Sequence, residues 1–193
     1  ATGDSCYKYL LLSNTHNGEG SVTVKFTAIR VVCQNTLILA INDHQKAFKV
    51  RHTKNMALRM NDVAEMMALE VQTFETAGKL FKRFASIHLN SGQFTDYLDK
   101  VYPRTPTQKQ KSEVPQRWDY VTEIFEKQDD LQLRSIRRTL WAAYNAIARF
   151  EDYKTVQNET QSDQRLGRVW FGSSADLKLR ALTSAKNFAD TIK

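Results

Sequence analysis

The residues of this chain best suited to chemistry are cationic, and they concentrate in two places. His44–Asn61 contains Lys46, Lys49, Arg51, Lys54 and Arg59 and no acidic residue. If Ala47–His52 forms a strand, Lys49 and Arg51 fall on one side of it, because side chains alternate with period two. A patch of this kind beside a helix start clamps phosphates through side chains and free backbone N–H groups. The plainer reading is a solvated edge strand whose lysines discourage unwanted pairing. The second place is Leu131–Tyr153, read as one helix. Ile136, Leu140, Ala143, Ile147 and Phe150 then share a sector of about 80° and define its buried side. Opposite them lie Arg134, Arg138, Trp141, Asn145 and Arg149. A basic row with an indole at its centre suits a polyanion carrying stackable bases, and it also suits an acidic protein. The plainer reading tucks Trp141 beneath a neighbouring loop and pairs the arginines with carboxylates.

Other chemistries find little support. The chain has no phosphate-binding glycine loop, no dinucleotide fingerprint, no HExxH and no nucleophile elbow. His16, His44, His52 and His88 show no metal-ligand spacing with one another or with Cys6 and Cys33. Asp129-Asp130 and Glu151-Asp152 are adjacent pairs that diverge by about 100° on a helix, which predicts solvated faces. Asp176-Leu-Lys178 matches half of a nuclease pattern, but no acidic partner upstream is identifiable. Cys33 with His52 has the composition of a nucleophile pair, although a core cysteine is the simpler assignment. Asn158-Glu-Thr160 is a glycosylation sequon by pattern only. No catalytic residue, metal site or cofactor is therefore assigned.

The elements that position these residues follow from periodicity. Cys6–Ser13 and Ser21–Arg30 read as strands joined through Asn17-Gly18, a dipeptide that tolerates positive φ. Val22, Val24, Phe26 and Ala28 alternate inward along the second strand. The first carries Tyr9-Leu-Leu-Leu12 without alternation, which predicts cover on both faces. Two strands are marginal alone, and Ala47–His52 is the natural third. Val31–Ile41 leans to a short helix. From Asn55 to about Leu89, Met56, Met60, Val63, Met67, Val71, Phe74, Phe81 and Phe84 mark one helical face, with Glu75 and Lys79 as an i,i+4 pair. Ser91 or Gly92 opens a short helix over Gln93–Tyr102. Helices are expected near Arg117–Gln128 and Leu131–Tyr153, then a polar loop over Lys154–Gln164. A last helix is opened by a capping box of Ser173 and Asp176; it buries Leu177, Ala181, Ala185, Phe188 and Ile192.

The 193 residues suffice for a sizeable core. The fold class expected is α+β: a small N-terminal antiparallel β-hairpin or three-stranded sheet followed by a mostly helical body. Its parts are a β-rich subdomain with a short helix (1–54), a long and a short helix (55–102), a linker or mobile loop (103–116) and a C-terminal helical part (117–193), together one compact domain. No apolar run approaches the roughly 20 residues that span a bilayer, so no membrane partner is expected. Two cysteines make no disulfide framework and fit a reducing compartment. The formal net charge of +7 favours anionic partners.

Tyr9-Leu-Leu-Leu-Ser-Asn14, His16-Asn-Gly18, Arg30-Val-Val-Cys-Gln-Asn-Thr-Leu37 and Arg51-His-Thr-Lys-Asn55 occur in this order, followed by Trp141-Ala-Ala-Tyr-Asn-Ala146 and Trp170-Phe-Gly172. Together they resemble the phage/plasmid-like family of unknown function, carried by plasmids and prophages, over nearly the whole chain. His16-Asn-Gly18 departs from that family's more usual His-Asp-Gly. The resemblance implies a longer N-terminal part ahead of Tyr9, so that this chain is the C-terminal portion; the missing initiator Met predicts a processed chain or a fragment of something longer. It also implies a mobile-element setting in the cytoplasm of a bacterial host or phage-infected cell. The expected function is a non-enzymatic, nucleic-acid-associated module for DNA or RNA, with a recombination or single-strand-binding role. The alternatives are a protein-interaction module acting on a host factor and a fragment of a mobile-element enzyme whose catalytic part lies upstream.

Overall fold

The computed structural model describes residues 4–13, 21–30, 36–37, 48–51, 74–110, 115–127, 135–154 and 162–192. The fold is α+β, an N-terminal antiparallel sheet followed by a mostly helical body. β1 (Cys6–Ser13) pairs with β2 (Ser21–Arg30) along its whole length. The expected third strand is present as β4 (Phe48–Arg51), antiparallel to the start of β2. A two-residue strand, β3 (Thr36–Leu37), pairs with Ala28 and Ile29. Strand at Thr36–Leu37 replaces the short helix expected there, because the free edge of β2 beyond β4 offers those residues a ladder. β2 is thus the central strand, with β1 on one edge and β3 and β4 sharing the other.

Register assigns the two sheet faces, since directly opposed residues lie on the same side. One face carries Val22, Val24, Phe26 and Ala28 of β2 with Leu12, Leu10, Lys8 and Cys6 of β1. Val22, Val24 and Ala28 are buried, with Ala28, Phe26 and Cys6 packed on the helical core. The other face carries Tyr7, Tyr9 and Leu11 of β1 with Thr23, Lys25 and Thr27 of β2. Full cover of β1 is not what forms. Tyr7, Tyr9, Leu10 and Leu12 are all exposed, Leu12 at 62%. The unbroken apolar run reflects an edge strand whose outer half lies beyond the helices, not a strand sandwiched between two layers.

The helical body begins with α1 (residues 74–86), whose Ala77, Phe81 and Phe84 form the buried stripe. Residues 52–73 lie outside the described part, and with them the first half of the expected long helix. That helix ends at Ser86, not at Leu89. His88 makes an isolated bridge with Thr139, and Leu89 N donates to Arg138 O at 2.8 Å. Glu75 and Lys79 are both exposed, and no ion pair joins them. α2 (Ser91–Val101) is capped by Asn90, one residue earlier than expected. The Asn90 side chain accepts from Gln93 N while the Gln93 side chain accepts from Asn90 N, a reciprocal capping box. α3 (Pro106–Gln110) is a short turn of helix inside the proline-bounded segment, closed at its start by Thr105 and Gln108 in the same reciprocal way. α4 (Gln116–Glu126) buries Trp118, Val121 and Phe125. Arg104 fastens α2 to α4: it makes a two-pronged bond to Asp99 and lies 4.5 Å from the centroid of the Trp118 ring.

Leu131–Tyr153 is not one helix. Ser135 and Ile136 form a 3₁₀ turn, Arg138 takes a left-handed conformation at φ 57°, and Thr139 caps α5 (Leu140–Arg149) by accepting from Ala142 N. The chain must break here because the backbone around residue 138 is spent on Ile87 and Leu89. The expected buried residues Ile136, Leu140, Ala143, Ile147 and Phe150 are all buried. So is every residue of α5 except Arg149, which makes α5 the central helix of the body. A π-helical turn, Phe150–Lys154, continues it. α6 (Ser162–Phe171) takes up the end of the expected polar loop, and α7 (Ser173–Thr191) packs against α2 and α5. The cap of α7 is Gly172, without a side-chain cap bond, so the Ser173 capping box does not form. A Cβ at Gly172 would stand 3.0 Å from Arg168 Cα, so the α6–α7 corner needs glycine for its close approach.

Two phenols lock α2 to this body. Tyr97 donates to Ala181 O at 3.0 Å and Tyr102 to Glu151 Oε1 at 2.8 Å. Burial, chiefly, raises both above the ordinary tyrosine value, with the Glu151 charge adding to the effect at Tyr102. The folded chain therefore keeps two protons that the unfolded chain releases near pH 10, so stability falls as pH rises beyond that point. Lys25 and Lys178, lowered by burial, have the opposite slope, which ends at about pH 10.4. We expect the urea midpoint to drop above that pH, with at least two of the seven tyrosines ionising, by absorbance, only on unfolding. Titration of all seven in the folded protein would contradict this.

Candidate nucleic-acid interface

Several exposed cations of the described surface lie on α1 and on α7, which meet through Arg83 and Asp190. Lys79, Lys82 and Arg83 occupy the outer face of α1, opposite the Ala77–Phe81–Phe84 stripe. Arg83 reaches across to α7, donating to Asp190 Oδ1 and to Ala189 O, each at 2.7 Å. Lys186 is exposed one helical turn before Asp190. Lys100 of α2 places its ammonium 5.4 Å from the centroid of the Phe188 ring. Cations gather naturally at a helix C-terminus, where carbonyl groups point outward. Lys79, Lys82 and Lys186 have no carboxylate partner among the described residues, whereas Arg83 is already spent on Asp190.

The residues expected at the interface fare differently. Lys46, Lys54, Arg59 and Arg134 lie outside the described residues. Lys49 and Arg51 are in β4, whose backbone register sets them opposite Thr23 and Ser21 of β2. Arg138 precedes α5 instead of lying on it; it is partly exposed and bonds Glu126 Oε2 at 3.0 Å and Ser91 Oγ at 3.3 Å. Arg149 is exposed. Trp141 and Asn145 must be withdrawn as surface groups. Trp141 is 3% exposed, with Phe81 at 4.6 Å between ring centroids, and its indole N–H donates to Asp4 Oδ2 at 2.7 Å. Asn145 is buried and donates to Trp141 O. The row of arginines around an indole therefore does not assemble. The face assigned to solvent is covered by α1 and by the residues leading into β1.

Glu151-Asp152, expected on a solvated face, is buried. The π-helical turn widens the helix so that both neighbouring carboxylates face inward toward different partners. Glu151 accepts from Tyr102 and from Ser174 Oγ at 3.0 Å, while Asp152 accepts from Lys178 Nζ at 2.7 Å. Burial lowers the Lys178 ammonium from its ordinary value, and the two carboxylates oppose that shift. Lys178 thus answers to Asp152, while Asp176 stays exposed on the first turn of α7, so the nuclease-like half-pattern is not assembled. With Glu151, Asp152, Ser174 and Lys178 all almost fully buried, this cluster joins the π-helical turn to α7. It offers no surface to a ligand. Among the described residues no group of three or more His, Cys, Asp or Glu side chains could hold a metal ion, and no helix is long and apolar enough to cross a membrane. Asp129-Asp130, Cys33 and His52 lie outside the described residues.

Sheet, central apolar helix and cationic rim define a basic α+β domain. The chain belongs to the DUF932 family, a domain of unknown function, whose model matches residues 1–170. The match ends at Trp170, so α7, with Ser174, Lys178 and Lys186, follows it. Neither the curated proteins nor the solved structures contained a match.

Sequence reasoning missed Lys79, Lys82 and Lys186, although the apolar stripe of α1 already sends Lys79 and Lys82 outward. The contact of α1 with α7 through Arg83 and Asp190 is one that no local pattern records.

Proposed function

We propose that this chain is a non-enzymatic, nucleic-acid-associated module of a mobile-element protein, holding the phosphate backbone through its basic surface in a single-strand-binding or recombination role. The observation that carries the reading is that Lys79 and Lys82 of α1 and Lys186 of α7 are exposed and make no ion pair among the described residues. The formal net charge of +7 agrees with it. A surface of this sign attracts polyanions from a distance and at high rate. The resemblance to plasmid- and prophage-borne proteins supports the mobile-element setting and, with it, the cytoplasm.

The test is fluorescence anisotropy of a labelled oligonucleotide at two salt concentrations. Binding should weaken with salt, the logarithmic slope being about −0.7 for each phosphate neutralised on a single strand. Replacing Lys79, Lys82 and Lys186 together by Gln should cut affinity at low salt and shrink that slope by about 2. No binding at low salt, or binding indifferent to salt, removes the reading.

A further inference from the structure

We draw no further inference here: the strongest candidate, the edge strand β1 with Tyr7 and Tyr9 exposed on one face and Leu10 and Leu12 on the other, carries none because nothing in the structure shows what covers it.

Discussion

Lys178→Ala should destabilise the protein by about 3–5 kcal/mol, the usual cost of stranding one member of a buried ion pair. Lys178 is fully buried and its ammonium meets Asp152 Oδ1 at 2.7 Å. Removing it leaves a carboxylate with little water to solvate it. Asp152→Asn should be milder, since an amide oxygen still accepts from the ammonium, although the charge of Lys178 is then less well compensated. The informative variant is the double replacement Lys178→Met/Asp152→Leu. Exchange of a buried pair for apolar groups of similar size is often neutral or stabilising, so the double variant should recover most of the loss. Urea denaturation monitored by far-UV circular dichroism reads all three. A single variant within about 0.5 kcal/mol of the parent, the range of ordinary surface substitutions, would show that the pair is not buried as described.

Trp141→Ala should cost a comparable amount, about 3–5 kcal/mol, because it empties the space between Phe81 and Tyr144. Trp141→Phe keeps most of the ring volume and loses the bond to Asp4. Its expected cost is smaller, about 1.5–3 kcal/mol for a hydrogen bond to a charged group. This milder variant decides a functional question as well. A folded Trp141→Phe protein should bind oligonucleotides as the parent does, since the indole is inside. A tenfold loss of single-strand affinity with the denaturation midpoint preserved would return Trp141 to the interface.

The fold was legible wherever period and register were local properties. β2 declares its inner face through Val22, Val24, Phe26 and Ala28, and α4 and α7 appear with nearly their observed limits. What stayed hidden depended on contacts distant in sequence. Leu131–Tyr153 has unbroken helical periodicity, yet it breaks at Arg138 because Ile87 and Leu89 claim the neighbouring backbone. Glu151 and Asp152 look like two solvated acids, since adjacent carboxylates on an α-helix cannot both face one core. Only the π-helical turn turns them inward, and the sequence carries no signal for it. Trp141 was misplaced by treating α5 as amphipathic when it is surrounded on all sides. The polar groups on its supposed outer face, Trp141 Nε1 and Asn145 Nδ2, are satisfied internally.

The family match stops at residue 170, and the helix beyond it has an architectural consequence. A cut at the end of the matched segment would sever the acceptor for Tyr97, the Ser174 donor to Glu151, the Lys178 donor to Asp152, and Phe188 with its alanine neighbours from the hydrophobic interior. The packing that surrounds α5 thus extends past the segment by which the chain's kinship is recognised.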